Sequence, residues 1–145
     1  AKSTSHLTLE TLMNDTSNQT ETSRKIVENM YKSAAAGDIA GFFANFTDEL
    51  AVIEPSFLPY GGTHRSIAGF QALFGEIAKL IDVTSLTIES LIADGEVVMA
   101  FLRVKTAKGG DEVQLAERAV VRNGKIVEMK IYFHELGSLA AVIKR

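Results

Sequence analysis

The stretch KIYFHELG, Lys130–Gly137, ends a strand-like run in an imidazole, His134, beside a carboxylate, Glu135. An imidazole titrates near neutral pH, so it can take a proton from a carbon next to a carbonyl and return it. The same ring can instead be structural, bonded to a backbone carbonyl or to Glu135. Glu54 closes the mostly apolar run ELAVIE, just before Pro55. A carboxyl group inside an apolar pocket has a raised pKa and serves as acid or base; at an exposed strand end it is only a surface charge. Tyr60 and His64 stand in the glycine-rich stretch LPYGGTHRS. A tyrosine hydroxyl there can donate to a developing oxyanion, or both rings can simply face solvent.

Glu117 is the odd charge in a row with Val113, Leu115, Ala119 and Val121. It either faces a pocket or pairs across strands with Arg103 or Lys130, and pairing is the expectation. His64, His134 and Glu54 include the residue types of a two-histidine, one-carboxylate metal centre. Nothing in their spacing demands one, so no metal and no cofactor are expected. The chain has three histidines and no cysteine, which excludes thiolate chemistry and disulfides. YGGTH lacks the lysine of a phosphate-binding loop, and no G-x-S-x-G elbow occurs.

The elements that must hold these groups follow from periodicity. Residues 1–20, rich in Ser, Thr and Asn, read as a flexible or loosely docked segment. A helix is predicted over Glu21–Ala36, capped by Thr20 or Thr22 and ended by Gly37. Asp38 caps a shorter helix carrying Phe42, Phe43 and Phe46. ELAVIE is a short strand, LPYGGTHRS a loop, and Ser66 starts a third helix that turns Phe70, Leu73, Phe74, Ile77 and Ile81 inward. Beyond Asp82 come four strands joined by the turns DG, KGGD and NG, an antiparallel meander. Helices followed by such a sheet make an α+β domain over residues 21–145.

In the last strand Val127, Met129, Ile131 and Phe133 alternate with Glu128, Lys130, Tyr132 and His134. Apolar residues occur on both sides of the sheet, and three helices cover one side. The open face is expected to pack against a second copy, unless the N-terminal segment and the tail cover it. Tyr31, Phe42, Phe46, Phe70, Phe74, Met99 and Phe101 read as core or pocket wall. With 145 residues and a net charge of −3, the chain is one domain with no basic footprint for nucleic acid. No apolar run approaches a membrane span or a signal core, which points to a soluble, cytoplasmic protein.

The segments AAAGDIAGFFANFTDEL, PYGGTHRSIAGFQALFGEI and GKIVEMKIYFHELG resemble the nuclear transport factor 2-like fold, and within it the SnoaL-like polyketide cyclase group. The resemblance spans roughly Ser23 to Gly137. It implies about three helices on one face of a strongly bent, mainly antiparallel sheet, a cone around an apolar pocket. Its members include ketosteroid isomerases, polyketide cyclases, limonene-epoxide hydrolases and pure association domains, so the fold alone does not give the function. In the cyclases and hydrolases the closing strand typically reads Y-[FW]-D; here Tyr132, Phe133 and His134 stand there, with histidine in the aspartate position. The hydrolases' Arg-x-Asp pair falls on Leu102 and Val104, which argues against epoxide hydrolysis.

The resemblance implies a cofactor-independent isomerase or cyclase for an apolar, carbonyl-bearing molecule of polyketide, steroid or terpenoid type. His134 would move the proton, and Glu54 or Tyr60 would hold or protonate the enol oxygen. Tyr31, Phe42, Phe46, His64, Phe70, Phe74, Met99, Phe101, Glu117 and Tyr132 would bind the ligand. The alternative is a small-ligand-binding or association domain without turnover.

Overall fold

The computed structural model describes residues 2–108 and 110–143. Helix α1 runs over Lys2–Ala36 and the short α2 over Ile39–Phe43. Strand β1 (Phe46–Glu54) and strand β2 (Gly62–Arg65) precede α3 (Ser66–Leu80). Then come β3 (Ile81–Asp94), β4 (Val97–Thr106), β5 (Glu112–Arg122), β6 (Lys125–Phe133) and a 3-10 turn over Gly137–Val142.

The four-strand meander forms; Gly109 of the KGGD turn lies outside the described residues, and the first hairpin turns on Gly95 and Glu96 rather than on Asp94 and Gly95. Asn123 and Gly124 both take positive φ, 52° and 77°, as a two-residue hairpin turn of this hand requires. The whole sheet has six strands in the order β2-β1-β6-β5-β4-β3. β1 enters it parallel to β6, and every other pairing is antiparallel. The helices pack on one face of this curled, open sheet, the α+β arrangement expected.

Four boundaries differ from the sequence reading. Helix α1 does not start near Glu21 but continues back to Lys2. No proline or glycine interrupts that stretch, and Ser, Thr and Asn are weak helix formers rather than breakers. Thr20 is not a cap: its Oγ1 accepts a bond from the Gly95 N–H at 2.8 Å. Phe46 opens β1 instead of ending α2, and Ile81 opens β3 instead of lying on α3. The loop GTHR is a strand, β2, paired to β1.

Other local signals act as read. Gly37 ends α1 at φ 74°, with Asp38 N–H bonded to Ser33 O at 2.9 Å and Gly37 N–H to Ala34 O at 3.1 Å. Asp38 caps α2 by accepting the Gly41 N–H at 2.9 Å. Phe42, Phe43, Phe46, Phe70 and Phe74 from α2, β1 and α3 form one aromatic cluster, with ring centroids 5.0 Å apart at the closest. This cluster holds α2 and α3 together against the sheet.

Alternation then sorts the sheet. Val98, Ala100, Leu102 and Val104 of β4 are buried inward, while Val97, Phe101 and Lys105 are exposed outward. Val113, Leu115, Ala119 and Val121 of β5 are also buried. In β6 the inner residues are Ile126, Met129 and Ile131, not Val127. Val121 pairs with Ile126 and Val120 with Glu128, so Val127 is an extra residue that reverses the alternation.

Candidate active site

Between α1, α3 and the inner face of the sheet lies a cavity of about 80 Å³. Apolar side chains from every layer line it, among them Met30, Phe42, Val52, Phe70, Leu115 and Met129. Three polar groups interrupt that lining: Tyr31, Glu54 and Glu117. Among the described residues, no lysine, arginine or histidine lines it.

The sheet register sets the two carboxyl groups. Glu117 pairs with Ile131 on one side and Ala100 on the other. Ile53 pairs with Lys130, so Glu54, one residue on, lies level with Ile131. Glu54, Ile131 and Glu117 thus form a row across three strands, with the carboxyl-bearing strands two spacings, or about 10 Å, apart. The curl of the sheet turns both carboxyl groups into the same hollow.

Their surroundings differ. Tyr31, 2% exposed, donates its hydroxyl hydrogen to Glu117 Oε1 at 2.7 Å. Glu54 is 5% exposed, and its Oε1 is buried with no hydrogen-bond partner. Burial, and secondarily the nearby charge of Glu117, pushes the Glu54 carboxyl up to about 8. Burial also raises Glu117, and the bond from Tyr31 partly opposes that by favouring its ionised form. Glu117 keeps part of its surface as cavity wall, but protein encloses it closely enough to penalise its charge. Tyr31 itself is held well above the usual phenol range, first by burial and then by Glu117. The hollow therefore presents Glu54, which burial keeps neutral at neutral pH, and Glu117, whose carboxyl burial also raises and a buried phenol orients.

The expected site residues separate cleanly. Glu54, Tyr31, Phe42, Phe70, Phe74 and Glu117 come together on the cavity. Phe46 is buried in the aromatic cluster but does not reach the cavity. Tyr60 is buried near the two glutamates, whose charges, after burial, raise its pKa; it is not part of the cavity wall. His64 sits on β2 with its Nε2 bonded to the Tyr60 carbonyl at 2.7 Å, away from the cavity.

His134 is exposed and lies outside the cavity, one residue beyond β6. Its parity explains this: it alternates with Met129 and Ile131, which face inward. Met99, Phe101 and Tyr132 are on the outer face for the same reason. Glu117 does not pair with Arg103 or Lys130. Arg103 bonds Glu89 and Glu112 on the outer face, and Lys130 alternates with the inward Met129 and Ile131. Among the described residues no three His, Asp or Glu side chains are grouped to hold a metal. The sequence reading missed Val52, Leu102, Val104, Leu115, Met129 and Ile131 as cavity wall; alternation with Glu54 and Glu117 marks Val52 and Leu115, and the others, on β4 and β6, follow only from the cross-strand register.

A curled sheet enclosing a buried polar cluster behind helices is the architecture of a small-molecule-binding α+β cone. A family model described as the SnoaL-like domain matches residues 27–129, and the chain belongs to that family. A comparison with curated proteins finds no match. Among solved structures, an NTF2-like protein from Burkholderia xenovorans LB400 superposes with a TM-score of 0.67 at 22% identity, covering 86% of this chain and 98% of its own. Bal32a, from a soil-derived mobile gene cassette, gives 0.73 at 16% identity, covering 87% and 99%. TerC, co-crystallized with polyporic acid, gives 0.71 at 17% identity, covering 83% and 97%. At these identities the likeness concerns the NTF2-like fold. No helix among the described residues is long and apolar enough to cross a membrane.

Proposed function

We propose that the chain is a cofactor-independent isomerase or cyclase that moves a proton on an apolar, carbonyl-bearing small molecule. The observation that carries this reading is the buried carboxyl of Glu54, whose Oε1 has no hydrogen-bond partner, on the same cavity as the Glu117 carboxyl that Tyr31 bonds. Glu117 takes a proton from the carbon next to the carbonyl. The C–H pair becomes a carbon–carbon double bond, and the carbonyl oxygen gains the charge. Glu54, still protonated, donates a hydrogen bond to that oxygen; a carboxylic acid kept neutral by an apolar site is suited to this. Glu117 then returns its proton to a more distant carbon, or the enolate carbon attacks a second carbonyl and closes a ring, and Glu117 passes its proton to the new alkoxide oxygen. Tyr31 fixes the base through Oε1 and leaves Oε2 to face the ligand. One placed base supplies about 10²–10⁴-fold, and the dry, apolar wall and the Glu54 donor supply the rest. His134 has no part in this scheme.

The test is the conversion of 3-cyclohexen-1-one to its conjugated isomer, followed by ultraviolet absorbance. Glu117→Gln removes the base and should abolish turnover, by roughly 10³-fold or more. Glu54→Gln keeps an N–H donor and should lose only about 10–100-fold. The reverse order would exchange the two roles, and full activity in both variants would end the proposal.

One observation favours a second reading. The cavity, about 80 Å³, is smaller than the roughly 150 Å³ that accommodates a benzene ring. A domain that binds a small ligand without turnover, or only associates, fits that volume. TerC, with its polyporic acid, supports ligand binding in this fold. The expectation of a homodimer through the outer sheet face also stands as part of this proposal. It is supported by the exposed Ile92, Phe101 and Tyr132 on β3, β4 and β6.

A further inference from the structure

The polar chemistry of the cavity is one-sided. Its wall carries two carboxyl groups, Glu54 and Glu117, and one hydroxyl, Tyr31, whose hydrogen is already donated to Glu117 Oε1 at 2.7 Å. Among the described residues no lysine, arginine or histidine of the wall answers either carboxyl. Acceptors therefore outnumber donors, and carboxyl groups held in an apolar interior without a cation are the costly case. Burial raises both groups for that reason, Glu54 to about 8.

A second feature points from the acidic pair to a ligand. Glu54 is 5% exposed, lines the cavity, and its Oε1 meets no donor. Buried oxygens of native proteins are otherwise bonded, to protein or to what the protein holds. Glu117 likewise has an oxygen to give, since Tyr31 occupies only Oε1.

The rest of the wall limits what can bond there. Met30, Val52, Phe70 and Leu115 are apolar and ask for hydrocarbon. By the measure in which roughly 150 Å³ takes the six carbons of benzene, the cavity of about 80 Å³ takes about three non-hydrogen atoms. A metal ion of the calcium or magnesium type needs about six oxygen ligands or more, and the wall has three oxygen-bearing side chains. An ammonium group on a short carbon chain meets both demands, with N–H donors for the carboxyl oxygens and carbons for the apolar wall.

We infer that this cavity receives a small primary alkylammonium ion, which donates its N–H groups to Glu54 Oε1 and Glu117 Oε2 and lays its carbon end on the apolar wall. In the filled cavity one carboxyl is ionised and the other keeps its proton, so ligand and wall are together neutral; a proton displaced on binding goes to solvent. The ion competes with the carbonyl compound proposed above for the same two carboxyl groups, and its binding needs no turnover.

Ethylammonium chloride, ethanol and sodium chloride test this on the full chain at neutral pH. The readouts are calorimetry and the methyl resonances of Met30 and Met129, which line the cavity. Ethylammonium should bind with a dissociation constant of about a millimolar, near the ceiling for so few atoms, and should shift both methyl signals. Ethanol, equal in non-hydrogen atoms but uncharged, should bind at least roughly tenfold more weakly. Sodium chloride should leave the methyl signals in place. Glu54→Gln and Glu117→Gln keep the size of the side chain and remove the acid, and each should weaken ethylammonium by roughly tenfold or more. No saturable heat, ethanol equal to ethylammonium, shifts that sodium chloride reproduces, or unchanged affinity in either variant would overturn the site. Ethylammonium bound as described with no isomerisation sinks only the enzymatic reading, and isomerisation without ethylammonium binding sinks only the ammonium site.

Discussion

Glu54 sits in its pocket with one oxygen bonded to nothing, which a lone carboxyl tolerates only by keeping its proton. Its folded pKa, about 8, lies above the ordinary 4.5. The folded chain therefore binds more protons than the unfolded chain between those values. The stability this contributes is full below about pH 4.5 and is lost as pH rises through 8, by an amount on the order of a few kcal/mol. Urea unfolding at pH 5 and pH 8 should show that decline in the native chain and a flatter response in Glu54→Gln. An equal decline in both would place the titrating group elsewhere.

The residue types at this site were legible in the sequence, and their assembly was only partly so. Glu54 and Glu117 each stood out as a charge in an apolar row. The choice between pairing and pocket for Glu117 needed the β4–β5 register, which sets it opposite Ala100 and leaves Arg103 on the other face. His134 drew attention by its chemistry, yet its own alternation with Ile131 already turned it outward. Tyr31 looked like one more aromatic on a helical stripe, because nothing local marks a hydroxyl whose partner is 86 residues away.

At the scale of elements, most short-range signals held, though Thr20 caps no helix and Phe46 and Ile81 open strands, and the long-range ones did not. The NG turn, the Gly37 stop and the Asp38 cap are local, and each lies where its residues place it, while the DG turn falls one residue later, on Gly95 and Glu96, because Asp94 ends β3 paired with Val97. The parallel entry of β1 beside β6 and the pairing of β2 depend on partners far along the chain, so GTHR read as loop. The turn from β1 to β2 bears directly on the site, because it begins at the residue after Glu54. A Cβ on Gly61 would lie 2.4 Å from the Pro55 carbonyl oxygen and 2.7 Å from Ser56 Cα, backbone atoms that cannot yield cheaply. Gly61→Ala should cost about 1–3 kcal/mol in urea unfolding. It should also reduce turnover more than that loss explains, by displacing Glu54. A variant of native stability and activity would show that this turn does not position the carboxyl.

Across the whole molecule the two faces of the sheet have separate tasks. The inner face, with its helices, builds the cavity. The outer face leaves Ile92, Phe101 and Tyr132 exposed among the Arg103–Glu89 and Arg118–Glu128 ion pairs. The 3-10 turn buries Leu139, and neither it nor α1 covers those three side chains. Sedimentation at micromolar concentration should give a dimer, and Phe101→Glu should give a folded monomer, since an unpaired charge at such an interface costs several kcal/mol. A native chain that sediments as a monomer would remove the second copy from that face.

The account stands most directly on the protonation of one side chain. Carbon-13 labelling of the glutamate carboxyl groups, with Glu54 assigned through Glu54→Gln, allows its titration to be followed by nuclear magnetic resonance. Glu54 should titrate with a midpoint near 8. A midpoint near 4.5 would mean a charged carboxylate at neutral pH and no acid in the cavity to hold a carbonyl oxygen.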